Sequence, residues 1–373
     1  MSANVAVVGS GMAGLATAMS IMTVAPSTTI TIFSDQPIEN TVSYHGGGGV
    51  TLEKPKFSRA FLKTVSGNVT NTNIKWLLTT LTNAIISSTG DILVARALAE
   101  ESARVLTTIF GVLQSDARAL CAKGQWYNNE LVMTNMMTKL AGFTNATTST
   151  NSVKFTTKVI TGADDETLKS FDKVFMCRGA ADAAVFGSAV ELIAGVSQDV
   201  PRAVPFVPSV PPSGDSCFTF DGTKFVSPFP DKVRNTGGMH VGYSAAKNTN
   251  ELSTGDKAEL PGFTGARVVS VDMFPFYHIS NEKIIYVNGG SFIGLHTYPA
   301  VAMLAATHGM LGNKVALPGN IFDPELSRVV EKQSRLVMIG LAILVPLLSV
   351  LLFVIKLALF FVRILFSLLK AAV

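Results

Sequence analysis

Three glycines near the start of the chain are spaced for one kind of chemistry. In "NVAVVGSGMAG", Asn4 to Gly14, an apolar run breaks at Gly9, Gly11 and Gly14. A strand that ends in GxGxxG and passes into a helix makes a pyrophosphate site. Gly9 permits the tight turn, Gly11 lets the backbone approach phosphate, and Gly14 lets helix meet strand. The N–H groups at the helix start then face the negative charge. The spacing predicts a bound dinucleotide. A second cluster, "SYHGGGGV" from Ser43 to Val50, has Gly46 to Gly49 in a row. Four consecutive glycines suit neither a helix nor a strand interior; they suit backbone lying flat against a ligand. Gly179 ends the apolar run of "FDKVFMCRGAA", and Gly289, Gly290 and Gly294 follow that of "KIIYV".

Side-chain chemistry is sparse by comparison. The sequence offers no carboxylate pair, no metal-ligand spacing and no nucleophile triad. For each of the five histidines a structural or surface role is the simpler reading. His45, inside the glycine cluster, is the one best placed to act. His296 follows the last glycine turn, His240 falls on an expected strand, and His278 and His308 have no clear setting. Cys121, Cys177 and Cys217 are unpaired by spacing, which with no secretory signal fits reduced thiols inside a cell. The sequons at Asn68 and Asn145 then read as chance.

The elements that must position the glycines can be read along the chain. Val5–Val8 reads as a buried strand, Gly11–Met22 as a helix and Thr28–Asp35 as a second strand. An acid normally ends that second strand to bind ribose hydroxyls. Here Ser34 holds the position and Asp35 comes one step later, so either the loop bulges to bring Asp35 in or the contact is lost. Asp91–Leu120 has helical spacing, and "GQWYNNELVM" reads as a turn and a strand. "SVKFTTKVI" and "FDKVFMCRGAA" read as a strand pair, and Pro201–Pro212 as edge strand or linker. Ser216–Val271 alternates short strands and turns, and a helix begins near Pro299. Glycine-bearing strand ends at the start, middle and end of the body predict an α/β fold. Its Rossmann-like domain is discontinuous (residues 1–55, 151–195 and 276–330), and an antiparallel substrate or cap domain (56–150 and 196–275) is built from the insertions.

Of the 373 residues, 48% are hydrophobic and 15% charged, against roughly 25% charged in a typical soluble domain. The net charge of +4 and the lack of basic blocks with interleaved aromatics give nucleic-acid binding no support. The first strand begins so early that an N-terminal targeting segment is not expected, and the address is sought at the C-terminus. There, Leu336–Ile355 is uncharged and apolar, long enough to predict a transmembrane helix, with Pro346 near its middle. Lys356, Arg363 and Lys370 follow at seven-residue intervals and share one helix face. That helix either lies in the membrane interface with its cations toward lipid phosphates or forms a tilted second span that meets a partner protein. Residues 335–373 are thus read as a membrane anchor.

The sequence resembles the flavin-dependent D-amino-acid oxidase and dehydrogenase superfamily, which includes glycine and sarcosine oxidases. The likeness is diffuse and covers most of residues 1–312. The Gly9-Gly11-Gly14 turn resembles the family's FAD pyrophosphate site. "TVSYHGGGG" resembles its segment passing the flavin, "FDKVFMCRGAA" its "ADxVVxAxG" strand, and "VNGGSFIGLHTYPAVA" its "GHxxxGxxxxP" turn. "GARVVSVDMFP", Gly265–Pro275, is similar to "G-L-R-P-x-T-P-D-G-x-P". Gly265, Arg267, Asp272 and Pro275 match and Ser270 replaces Thr, whereas Val268 and Val271 stand for prolines and Met273 for the second glycine.

The resemblance implies FAD as cofactor, bound by Gly9, Gly11, Gly14, Ser34, Asp35, Ser43, Gly46, Gly47, Gly179, Gly289, Gly290 and Gly294, with no metal. It implies hydride transfer from a small amine or amino-acid substrate to flavin. Arg267 would grip the substrate carboxylate, a guanidinium fork suiting two parallel hydrogen bonds, and His45 would lie near the flavin. A bilayer anchor adds a quinone as candidate acceptor and a mitochondrial membrane as the favoured location. Two alternatives stay open: a catalytically degenerate subunit acting as a scaffold in a membrane complex, and a nicotinamide-binding protein, for which the late "GGSFIG" turn is a poorer fit.

Overall fold

The computed structural model describes residues 3–51, 92–121, 124–143, 152–201, 219–220, 224–239, 263–291, 293–317 and 322–331, with single positions at 344, 347 and 351. The chain opens with β1 (Asn4–Val8), turns at Gly9, and continues through α1 (Met12–Val24) into β2 (Thr29–Phe33). Val5 and Val7 face one apolar core and Ala6 and Val8 another, as in a strand buried on both sides. Every residue of α1 from Met12 to Met22 is buried. Over that stretch the helix therefore has no exposed face: it is enclosed by the sheet on one side and by other helices beyond it.

The remaining described strands are β3 (Gly49–Thr51), β4 (Arg118–Cys121), β5 (Gly124–Tyr127), β6 (Ser152–Thr156), β7 (Lys173–Met176), β8 (Val190–Pro201), β9 (Thr219–Phe220), β10 (Lys224–Pro228), β11 (Lys232–Met239), β12 (Phe263–Ser270), β13 (Phe276–Ile279) and β14 (Ile284–Asn288). The longer helices are α2 (Ile92–Arg104), α3 (Asn129–Gly142) and α4 (Tyr298–Leu311). A six-stranded sheet has the order β13-β14-β7-β1-β2-β6. All its pairings are parallel except that of β13 with β14. Its strands come from residues 4–33, 152–176 and 276–288. A five-stranded antiparallel sheet runs β12-β8-β11-β10-β9, and a small one β3-β5-β4. α1 packs chiefly on α4, with α2 and α3 beside them.

Several local expectations are corrected. "GQWYNNELVM" is not a turn and a strand: it contributes β5 and then the start of α3. Asn128 caps that helix, its side chain accepting from Leu131 N–H at 3.1 Å, while Val132, Met133, Met136 and Leu140 turn one face to the core. The helical stretch expected to Leu120 stops earlier: α2 ends at Arg104, a wider turn follows over Val105–Ile109, and Arg118 already starts β4. β6 and β7 do not pair with each other. β6 joins β2 and β7 joins β1, so the chain places one on either side of the first two strands.

Residues 1–329 form one compact unit and 330–373 a second. The expected span 336–355 and its basic continuation lie almost wholly outside the described residues, among which no helix is long and apolar enough to cross a membrane. Pro201–Pro212 beyond its first residue, His240 and Cys217 also lie outside them.

Candidate functional site

The sheet order fixes where a ligand belongs. From β1 the chain moves outward through β2 to β6, then returns to the other side of β1 as β7. Ligands of open α/β sheets sit beyond the carboxyl ends of strands at such a reversal. Here those ends carry the glycines. Gly9 follows β1 with φ +114°, Gly179 follows β7 with φ +58°, and Gly289 follows β14 with φ +78°. Gly9 admits no side chain, since a Cβ would lie 2.4 Å from the Cys177 carbonyl oxygen. Gly14 is tighter still, a Cβ falling 1.8 Å from the Gly9 oxygen. The start of α1 bears no acidic residue in its first turn and no side-chain cap on Gly11; Ser43 Oγ accepts from Met12 N–H at 3.1 Å.

A cavity of about 140 Å³ opens at this edge of the sheet. Met12, Gly179, Asn288 and Gly290 form its floor at the strand ends, and Ser43 with Gly46–Gly49 forms a wall of bare backbone. Arg267 and its neighbours on β12 face in from the antiparallel sheet. β12 is tied to the last glycine turn, Ser291 N–H donating to the Val268 carbonyl at 2.9 Å. The turn itself is held by Tyr298, whose hydroxyl accepts from Gly290 N–H at 2.7 Å. A Cβ on Gly290 would enter the Tyr298 ring at 2.1 Å.

The electrostatics are those of a desolvated binding site. Burial brings the Arg267 guanidinium down to about 10, which leaves it cationic at neutral pH. His296 is 1% exposed and burial lowers it to about 3, so the ring is neutral. Its Nε2 lies 2.8 Å from the Gly48 carbonyl. Cys177, beneath the first turn, is pushed up to about 12 by burial; it is a packing residue and not a nucleophile.

The wall is clamped from outside by a residue the sequence did not single out. Arg234 on β11 is fully buried. It donates to both Asp199 oxygens, at 2.7 and 2.8 Å, to Glu130, and to the carbonyls of Tyr44 at 2.8 Å and Gly46 at 3.3 Å. Asn129 holds the same segment, its Nδ2 donating to the Ser43 and Tyr44 carbonyls at 2.7 and 2.6 Å. The four-glycine run is therefore a fixed surface over its first part.

The sequence-derived residues divide into three groups. Arg267, Ser43, Gly46, Gly47, Gly179, Gly290 and Gly294 line the cavity. Gly9, Gly11, Gly14 and Gly289 shape the turns next to it. His45 does not line it: its ring stacks on Phe263 at 3.9 Å, turned to the β12 side of the segment. Ser34 is half-buried and occupied, its hydroxyl donating to the Gln36 carbonyl and bonded to Ser10; Asp35 is exposed. Among the described residues the structure adds Asn129, Asn288, Ser291, His296 and Tyr298 to the lining. His296 was visible in the sequence beside the last glycine turn; nothing in the spacing pointed to Asn129.

No family model matches the sequence, and no curated protein does. Solved structures do. Fructosyl amine:oxygen oxidoreductase (Amadoriase I) from Aspergillus fumigatus aligns over 89% of this chain and 91% of its own, with a TM-score of 0.50 at 11% identity. A double-cysteine variant of that enzyme gives 0.51 at 12% identity over the same shares. The chain shares the fold of Amadoriase I. Glycine oxidase from Geobacillus kaustophilus is also similar, with 13% identity, 87% of this chain, 99% of that one and a TM-score of 0.47. At 11–12% identity the likeness to Amadoriase I establishes the fold alone.

Proposed function

We propose that the chain is an FAD-dependent oxidoreductase acting on an amino acid or a secondary amine. One observation carries the reading: Met12, just past the β1 turn, and Gly179 and Gly290, past the ends of β7 and β14, line a cavity that Arg267 also lines from the antiparallel sheet. The residues present fit FAD. Gly9, Gly11 and Gly14 leave the start of α1 open to a pyrophosphate, and Gly46–Gly49 offer backbone without side chains to a flat ring. The departure is at the end of β2, where Ser34 is tied to its neighbours and the acid, Asp35, comes one residue later and is exposed.

Bound flavin would supply the two-electron chemistry, as a hydride acceptor. The chain's residues have the remaining tasks. Arg267 fixes a substrate carboxylate by a bidentate contact that orients the α-carbon, and such alignment can lower a barrier by several kcal/mol. The neutral His296 gives up no proton, and backbone forms much of the rest of the lining. The site thus binds and aligns; it is not built for general acid–base work.

The sequence of residues 330–373 supports a further reading, attachment to a bilayer through 336–355 with Lys356, Arg363 and Lys370 toward lipid headgroups. That makes a membrane quinone the acceptor and a mitochondrial membrane the favoured location. A second reading, an oxidoreductase fold kept as a scaffold in a membrane complex, draws on the displaced ribose acid at Ser34 and Asp35, the departures at Val268, Val271 and Met273, and the long C-terminal segment. The visible absorption spectrum of detergent-purified full-length protein separates the two. A flavin spectrum that amino acids bleach, with bleaching slowed by Arg267→Ala, is expected. A folded protein that stays colourless after incubation with FAD would refute the enzyme reading. Deleting 335–373 is expected to release the body from membranes, and retention after deletion would count against the anchor.

A further inference from the structure

Three buried polar atoms without a hydrogen-bond partner among the described residues belong to residues that line the cavity described above: His296 Nδ1, Asn129 Oδ1 and Ser291 Oγ. Their chemistry is not arbitrary. His296 Nε2 faces the Gly48 carbonyl, and a carbonyl only accepts, so Nε2 carries the ring hydrogen and Nδ1 is left with an unpaired lone pair. Gly48 does not need this bond, because its oxygen already accepts from Tyr127 N–H at 2.8 Å. The contact instead fixes the histidine, selecting its tautomer and its orientation. Asn129 is fixed in the same sense. Its Nδ2 is spent on two carbonyls, so Oδ1 is the atom left over and it too can only accept. Burial keeps His296 neutral far below physiological pH, with Arg118 acting in the same direction.

We propose that His296 is a positioning residue whose Nδ1 accepts a hydrogen bond from an N–H group of the molecule bound in the cavity, with Asn129 Oδ1 as a second acceptor on the same wall. The inference rests on the FAD reading. A cavity with two fixed buried acceptors disfavours a ligand edge made only of oxygen lone pairs and selects one that presents N–H. Two sources share this chemistry: the ring N–H of the flavin and the amine of the substrate. His296 is distinct from Arg267, which takes the anionic group. Together they give the cavity one group for a carboxylate and another for a donor.

Two substitutions in the full-length protein separate this role from mere support of Gly48. His296→Gln keeps an N–H near the position of Nε2 and loses the acceptor at Nδ1. His296→Asn keeps an acceptor near Nδ1 and loses the contact with Gly48. FAD is titrated into flavin-stripped protein by fluorescence. On the flavin arm, His296→Gln weakens FAD roughly tenfold or more, the loss expected for an unpaired buried polar group. His296→Asn stays within about threefold of wild type, and FAD methylated on the ring nitrogen no longer distinguishes the three proteins. On the amine arm, all three bind FAD alike. The amino acid that bleaches wild type best then loses its advantage in binding, read by perturbation of the oxidised-flavin spectrum before turnover, over the corresponding acid lacking the amine, in His296→Gln only. A ¹⁵N spectrum of histidine-labelled protein gives a readout free of activity: the unprotonated Nδ1 signal moves upfield when the bound donor engages it. The proposal is overturned if His296→Gln matches wild type on both arms, if His296→Asn is the weaker variant, or if Nδ1 does not move in fully liganded protein. Wild type that takes up no FAD sinks the flavin reading and this inference with it; uptake with no response at His296 sinks this inference alone.

Discussion

Replacing Arg234 with methionine tests how the glycine wall is held. The guanidinium is fully buried, forks onto Asp199 at 2.7 and 2.8 Å, pairs with Glu130, and reaches the Tyr44 and Gly46 carbonyls. Methionine keeps the volume beside Phe229, whose ring centre lies 4.6 Å from the guanidinium carbon, and removes the charge. Breaking one partner out of a buried pair costs about 3–5 kcal/mol. Two facts hold the figure to the lower end. Lys232 remains at 2.8 Å from Glu130 and 3.0 Å from Asp199, and Asn129 still donates to the Tyr44 carbonyl. The expected loss is therefore about 3 kcal/mol, or roughly 6 °C at the lower end of 2–4 °C per kcal/mol for mid-sized domains, read by calorimetry or denaturant titration. The pH profile supplies a second check. Burial favours the neutral form of Asp199, but Arg234 and Lys232 outweigh it and hold the carboxyl at about 2. A carboxyl depressed below its unfolded value of roughly 3.9 stabilises the fold above about pH 4, and that contribution is lost as pH falls toward 2. The variant is expected to show a weaker acid dependence in that window. A loss below about 1 kcal/mol, with an unchanged acid limb, would refute the clamp.

Other expectations concern the turns. Met273 sits at φ +67°, left-handed backbone that costs a residue with a side chain about 1–2 kcal/mol; Met273→Gly is expected to raise the melting temperature by a few degrees, and a fall would show that the methionine's packing outweighs the strain. Gly14→Ala places a methyl 1.8 Å from the Gly9 oxygen and is expected to abolish soluble expression, whereas a folded variant with normal FAD uptake would contradict the packing of α1 on β1. Cys177, buried and pushed up to about 12, is expected to remain unmodified by maleimide at pH 8 in native protein and to react after denaturation, as mass spectrometry would report.

The first β-α-β unit was legible because glycine leaves an unambiguous trace: where a Cβ would collide with a neighbouring carbonyl, only one residue type fits. The assembly of the parallel sheet from three stretches of chain followed from the same trace, repeated at Gly179 and Gly289. The start of α3 was not read, because "NNELVM" carries its helix signal in Asn128 as a cap and in only three consecutive apolar residues, a window too short to show a period. Arg234 was invisible for another reason. Its partners lie between 35 and 190 positions away, and a lone arginine in a strand announces none of them. His45 was favoured over His296 on sequence proximity to the glycine run, yet backbone direction carries His45 onto Phe263, while the fold brings His296 across 248 residues to Gly48. The Met273 backbone is instructive in the opposite sense. The glycine of the resembled motif is absent, but the left-handed turn that would call for it persists, stapled by Ser270 and Asp272.

The central place of β1 has a consequence for how the chain comes off the ribosome. Its neighbour β7 is about 165 residues downstream and β14 about 280, so at roughly 5–20 residues per second the nascent strand waits on the order of 10–30 s for its second partner. Throughout that interval α1, buried from Met12 to Met22 in the finished fold, has no complete sheet to cover it. The emerging N-terminal segment is thus a prime client for holding chaperones, and truncations ending before residue 173 are expected to aggregate although they contain the whole β1-α1-β2 turn.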